Sequence, residues 1–223
     1  AQNIGEAGKH VAVFSLEMSK EQLTDRLICS AMGVDSWKLQ KWQLEDEEFG
    51  RMGDALEKLS RASIFIDDSS GWSLMEIKSK ARRLKMESGL DLLIIDYLQL
   101  MWGQSLNRVQ EISEISRGIK LLARELDVPI IALSQLSRNV ESRPDKRPVL
   151  SDLRESGGIE QDADIVMMLY REDYYDEFTE NKGITSVLIR KNRNGPVGQV
   201  DMRFEKKHMR FYDIDNSYVD EVF

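Results

Sequence analysis

The sequence predicts an α/β fold in which a mostly parallel sheet is flanked by helices and followed by an antiparallel extension. Three observations predict it. Short runs rich in Val and Ile recur at 11–15, 63–67, 91–96, 128–134 and 165–170, and each reads as a strand buried on both faces. Longer stretches with helical periodicity separate them, and strands alternating with helices build parallel sheets. From about Ile184 the texture changes, because 184–191 and 197–204 flank the turn-forming 192–196 and a further run follows at 208–214. That pattern belongs to antiparallel strands.

The connecting helices carry their own signals. Ser73 followed by Glu76 is a capping box, and Gly89 stands where a helix ending at Ser88 needs a left-handed residue. Over 111–127, Ile112, Ile115, Ile119, Leu122 and Leu126 recur at three- and four-residue spacing and form one apolar stripe. With 223 residues, 41% of them apolar, residues 1–214 suffice for one domain of about 17 Å radius of gyration. Residues 215–223 read as a polar tail.

Lys and Arg number 31 against 39 Asp and Glu, a net charge of −8, which excludes a globally basic nucleic-acid coat but not a channel with a local basic lining. Cys29 is the sole cysteine, so no disulfide framework exists and a reducing, cytoplasmic setting is expected. No apolar run approaches the roughly 18 residues that span a bilayer, and residues 1–10 lack a signal-peptide plan. A soluble domain with no membrane partner is expected. His10 and His208 stand alone without metal-ligand spacing, so no zinc site is expected.

Ligands of parallel sheets collect beyond the carboxyl ends of the strands. Asp96 follows four large aliphatics directly, where a carboxylate either holds a magnesium ion through water or caps a turn. Glu17 follows the strand at 11–15 and either acts on a water attacking a phosphate or favours the macrodipole of the helix starting near Ser19. Gln135 ends the run 130–134 with an amide that can donate to a phosphate oxygen and accept from water. Three polar strand ends say more than any one of them.

The runs Phe14-Ser-Leu-Glu-Met-Ser19, Leu93-Ile-Ile-Asp-Tyr-Leu-Gln-Leu-Met101, Ala132-Leu-Ser-Gln-Leu-Ser-Arg138, Ser151-Asp-Leu-Arg-Glu-Ser-Gly157, Ile159-Glu-Gln-Asp-Ala-Asp164 and Lys191-Asn-Arg-Asn-Gly-Pro196 resemble, in order, successive motifs of the DnaB-type replicative helicases. The resemblance covers about residues 9–214. It implies a RecA-like ATPase domain that works as a homo-hexameric ring, hydrolyses ATP or another nucleotide with Mg²⁺, translocates on single-stranded DNA, and meets a primase and a helicase loader. It further implies that Glu17 is the catalytic glutamate, Asp96 the magnesium-side aspartate and Gln135 the residue sensing the γ-phosphate. Lys191 and Arg193 match the cations that reach the nucleotide of the neighbouring subunit, and alternate residues of an extended segment do point the same way. Arg154, Glu155 and Gly157 match the loop that contacts the DNA backbone. The preceding segment 138–147, with Arg138, Arg143, Lys146 and Arg147, reads as a mobile loop suited to a flexible strand. Next to it, Gly157-Gly158 would let the main chain approach a phosphate closely.

One expected part is missing. The single Gly-Lys pair, Gly8-Lys9, is followed by His10 and has Asn3 where a phosphate-binding loop GxxxxGK[ST] requires its first glycine. The first βα unit of the fold is therefore expected to be incomplete, with the loop upstream of Ala1, and the 223-residue chain alone is expected neither to hydrolyse ATP nor to fold stably. Two other readings stay open: a different RecA-like ATPase, of recombinase or clock type, and a non-catalytic DNA-binding or assembly fragment.

Overall fold

A computed structural model of the chain describes residues 1–69, 71–102 and 107–214, and within them all side chains except those of residues 40 and 154–157. The element order is α1 (Gln2–Glu6), β1 (Val11–Ser15), α2 (Lys20–Met32), α3 (Ser36–Gln40), α4 (Asp46–Arg61), β2 (Ile64–Asp67), α5 (Leu74–Glu87), β3 (Leu92–Asp96), α6 (Arg108–Leu126), β4 (Ile130–Ala132), α7 (Asn139–Ser142), α8 (Gly157–Asp162), β5 (Ile165–Tyr170), β6 (Ile184–Asn192), β7 (Gly198–Glu205) and β8 (Arg210–Asp213). One-turn 3₁₀ segments at Leu98–Leu100 and Glu172–Tyr174 and a longer one at Leu150–Ser156 fill three of the connections.

The first sheet has the order β2-β1-β3-β4 and is parallel throughout, with Val11 opposite Ile64 and Leu92, and Ile95 opposite Ala132. The second sheet, β5-β6-β7-β8, is antiparallel. One apolar core serves both. Phe14 of β1, Leu93 and Ile95 of β3, and Ile112, Ile115 and Leu122 of α6 join Val166, Met168 and Leu188 of the second sheet. A smaller cluster of Cys29, Met32, Val34, Leu39 and Ala55 packs α2, α3 and α4 together.

The helix signals appear as expected. Ser73 Oγ accepts from the Glu76 amide while the Glu76 carboxylate accepts from the Ser73 amide, and Gly89 adopts φ +83° just beyond α5. Two expectations about strands need correction. The strand at 165–170 belongs to the antiparallel sheet, and only alternate residues are buried: Val166 and Met168 face the core while Ile165, Met167 and Leu169 are exposed. An unbroken apolar run cannot distinguish a strand covered on both faces from one whose second apolar face is open. Likewise β2 and β4, the two edges of the parallel sheet, expose Phe65 and Ile131, and β4 is shorter than its apolar run because Val128 still closes the end of α6 through its amide to the Ala123 carbonyl.

Candidate nucleotide site

β1, β3 and β4 are neighbours in one parallel sheet, so their carboxyl ends lie along one edge, and each end carries a polar group. Ser15 is opposite Asp96 in the ladder, and the Leu16 amide donates to the Asp96 carbonyl at 2.7 Å. The chain then folds back tightly. The buried Ser15 hydroxyl donates to the Met18 carbonyl at 2.7 Å and accepts from the Met18 amide at 3.2 Å, a small closed turn with Glu17 at its tip. Ser19 follows as the cap of α2, in a reciprocal box with Gln22. Glu17 is thereby held on a short rigid turn with its side chain in solvent.

Asp96 is half-buried at the end of β3. Burial, and after it the charge of Glu17, push its carboxyl above the ordinary aspartate value, while the Arg26 guanidinium of α2 pulls the other way. The two carboxylates therefore feel each other, an arrangement a cation relieves. Gln135 lies one strand further along. The Leu133 amide donates to the Ile95 carbonyl at 2.9 Å and the Leu98 amide to the Leu133 carbonyl at 3.0 Å, so the ends of β3 and β4 stay locked as the chain turns outward. Gln135 itself is exposed. The structure thus brings Glu17, Asp96 and Gln135 to one edge of the sheet.

Lys191 and Arg193 stand elsewhere, at the end of β6 and in the turn after it, and both reach the C-terminal end of α8. Lys191 Nζ donates to the Glu160 carbonyl at 2.5 Å and the Gln161 carbonyl at 3.3 Å, and Arg193 Nη2 donates to the Gln161 carbonyl at 2.6 Å. Arg193 also lies 3.7 Å from the Asp164 carboxylate, which Lys120 engages from α6. Both cations meet the Gln161 carbonyl, Lys191 from the end of β6 and Arg193 from the turn beyond it. They complete the last turn of a helix within their own chain.

The side chains of Arg154 and Glu155 and the surroundings of Gly157 lie outside what the structure describes; the backbone of these residues forms the end of the 3₁₀ segment Leu150–Ser156 and the start of α8. Two neighbouring expectations change. The segment 138–147 is anchored rather than loose: it contains α7, and Arg143 forms a bidentate pair with the buried Asp152 at 3.0 and 2.8 Å. Gly158 serves packing, because a β-carbon there would lie 2.7 Å from Ser113 Cα on α6. Sequence reading does not single out Ser15 or Gln99, whose contacts shape the site; Ser15 differs from any strand-end serine only by its burial.

Among the described residues no three or more His, Cys, Asp and Glu side chains gather into a metal-holding group. Asp96 with Glu17 nearby still suits magnesium, which takes one or two carboxylates and completes its shell with water and phosphate oxygens. No helix among the described residues is long and apolar enough to cross a membrane.

Comparison with known proteins identifies the family and the fold. The chain is 51% identical over 224 residues to the replicative DNA helicase DnaC of Bacillus subtilis (strain 168), covering 99% of this chain and 49% of that protein. It is 50% identical over 222 residues to the replicative DNA helicase DnaB of Geobacillus stearothermophilus, covering 98% and 49%. It therefore spans about half the length of these relatives. Among solved structures, one described as an ATPase domain superposes with a TM-score of 0.93 at 45% identity, over 96% of this chain and 78% of that one. A DnaB-like replicative helicase described with its interactions with primase gives the same score and identity, over 96% and 53%. The parallel sheet, its helices and the antiparallel sheet are thus a RecA-like ATPase fold. The model of the DnaB-like helicase C-terminal domain matches residues 1–213, and the chain belongs to that family.

Proposed function

We propose that this chain is the greater part of the nucleotide-driven motor of a replicative DNA helicase, which hydrolyses ATP or a related nucleotide as a homo-hexameric ring moving on single-stranded DNA. The observation that carries the reading is the adjacency of Glu17 and Asp96, two carboxylates on neighbouring strand ends that are close enough for one charge to raise the other's pKa. In this reading Glu17, held at the tip of the Ser15–Met18 turn, orients the attacking water and accepts its proton. Asp96 would hold magnesium, chiefly through water; when bound, the ion neutralises charge on the phosphates. Gln135 would bind the terminal phosphate through its amide.

Lys191 and Arg193 would close the site of an adjoining subunit, where an arginine stabilises the charge growing on the transferring phosphoryl group. To do so they must release the α8 carbonyls that now hold them. Arg154, Glu155 and Gly157 would contact the DNA backbone. The primase named with the related helicase, together with a loader, would be the partners.

The sequence holds no GxxxxGK[ST] run, and apolar groups stand exposed along β4 (Ile131), just past its end (Leu133) and on β5 (Ile165, Met167, Leu169). Both features support a phosphate-binding strand, loop and helix supplied from outside these 223 residues. On this reading the chain by itself is inactive. It also favours a second description of the isolated chain, as a module that assembles and binds DNA without turnover. Substituting Glu17→Gln in the full-length protein discriminates. A motor loses about 10²- to 10⁴-fold in hydrolysis while still binding nucleotide, as expected for loss of a general base; hydrolysis unchanged by the substitution would refute the role.

A further inference from the structure

If Gln135 meets the terminal phosphate, its main chain must be held still, yet β4 ends at Ala132. The backbone ladder between the two strand ends stops at Leu133, whose carbonyl receives the Leu98 amide. Beyond that point a side chain takes over. The Gln135 amide donates to Gln99 Oε1 at 3.2 Å, and Gln99 Nε2 donates to the Ser134 hydroxyl at 2.9 Å and, more weakly, to the Gln135 carbonyl at 3.5 Å. One carboxamide thus supplies both the acceptor and the donor that a neighbouring backbone would supply, and extends the sheet by one rung past its last strand pair.

Gln99 is itself fixed. It lies three residues after Asp96, in the 3₁₀ turn Leu98–Leu100, and Arg108 in the first turn of α6 donates to the Gln99 carbonyl and, at 3.3 Å, to the Met101 carbonyl. The turn is therefore tied at one end to the magnesium-side aspartate and at the other to α6. We propose that Gln99 is the positioning residue for Gln135, setting the direction of its amide relative to Asp96. The inference rests on the reading of Gln135 as the phosphate-binding amide.

The test uses the full-length protein and single-stranded DNA-stimulated ATP hydrolysis. Gln99→Ala should lower kcat about tenfold or more with KM for ATP changed less than about threefold, because misplacement of a positioned group falls on the chemical step. Combined with Gln135→Ala it should add almost nothing to the loss from Gln135→Ala alone, since coupled residues are not additive. Gln99→Glu keeps the size and the acceptor but loses the donor while ionised. It should unfold at the wild-type temperature, turn over slowly at neutral pH, and recover relative to wild type as the pH falls and the carboxyl regains a proton to donate. If Gln135→Ala leaves turnover intact, the reading beneath the proposal fails and the proposal with it. If Gln135→Ala cripples turnover while Gln99→Ala stays within about twofold of wild type, or the two losses multiply, or Gln99→Glu shows the wild-type pH profile, the positioning role itself is overturned.

Discussion

Asp96 shows how one residue reports both local packing and function. Its carboxyl value is raised above 3.8 by burial and by Glu17, so between 3.8 and the raised value the folded chain binds more protons there than the unfolded chain. Stability then falls as pH rises through that window, the opposite of a salt-bridged aspartate. Asp96→Asn removes the cost of the buried charge. In metal-free buffer it should raise the unfolding temperature of the full-length protein near neutral pH, with the two curves converging on acidification; scanning calorimetry between about pH 4 and pH 7 checks this. A variant less stable than wild type at neutral pH would mean that Asp96 makes a stabilising contact as an anion. Legibility in the sequence also divides at this scale. Glu17, Asp96 and Gln135 are visible because each ends an apolar run whose strand fixes its place. Gln99 is invisible, because its partners lie 35 and 36 residues away and the meeting exists only once β3 and β4 pair.

The elements around α8 are harder to read from sequence than the strands. Periodicity locates α5 and α6 to within a few residues, since their apolar stripes and caps are local properties. The segment between β4 and β5 offers no such period, and its order comes from side-chain pairs, Arg143 with Asp152 within the segment and Lys191 with the end of α8 from 31 residues away. Gly158, the second glycine of a pair that reads as a phosphate-approaching loop, brings α8 close against α6. Gly158→Ala should destabilise the chain by about 1–3 kcal/mol, because the new methyl meets Ser113 Cα, which cannot turn aside, as well as the Ser113 side chain. Denaturant unfolding of the full-length protein measures it; a variant as stable as wild type would show that α8 shifts freely on α6. Pattern alone misplaces the strand at 165–170 for a related reason: its apolar residues alternate between a covered face and an open one, and hydrophobicity does not record which is which.

At the scale of the molecule, the distribution of site residues matters more than any one of them. Glu17, Asp96 and Gln135 share an edge of the parallel sheet, whereas Lys191 and Arg193 sit in the antiparallel sheet and the turn after β6, and spend their hydrogen bonds on α8. Within one chain Lys191 and Arg193 bond to α8 rather than to the strand-end group, and the proposal that they serve a touching copy builds on this. The fold class and the strand-end half are legible because both follow from chain-local patterns; the separation of the second half needs three dimensions. Mixing two inactive full-length proteins tests the account most directly, one carrying Glu17→Gln and the other Lys191→Ala with Arg193→Ala. If the cations act on a neighbour's nucleotide, mixed assemblies contain interfaces in which an intact Glu17 faces an intact Lys191 and Arg193, and ATP hydrolysis should rise well above that of either protein alone. Mixed assemblies that form, yet hydrolyse no faster than the separate variants, would contradict it.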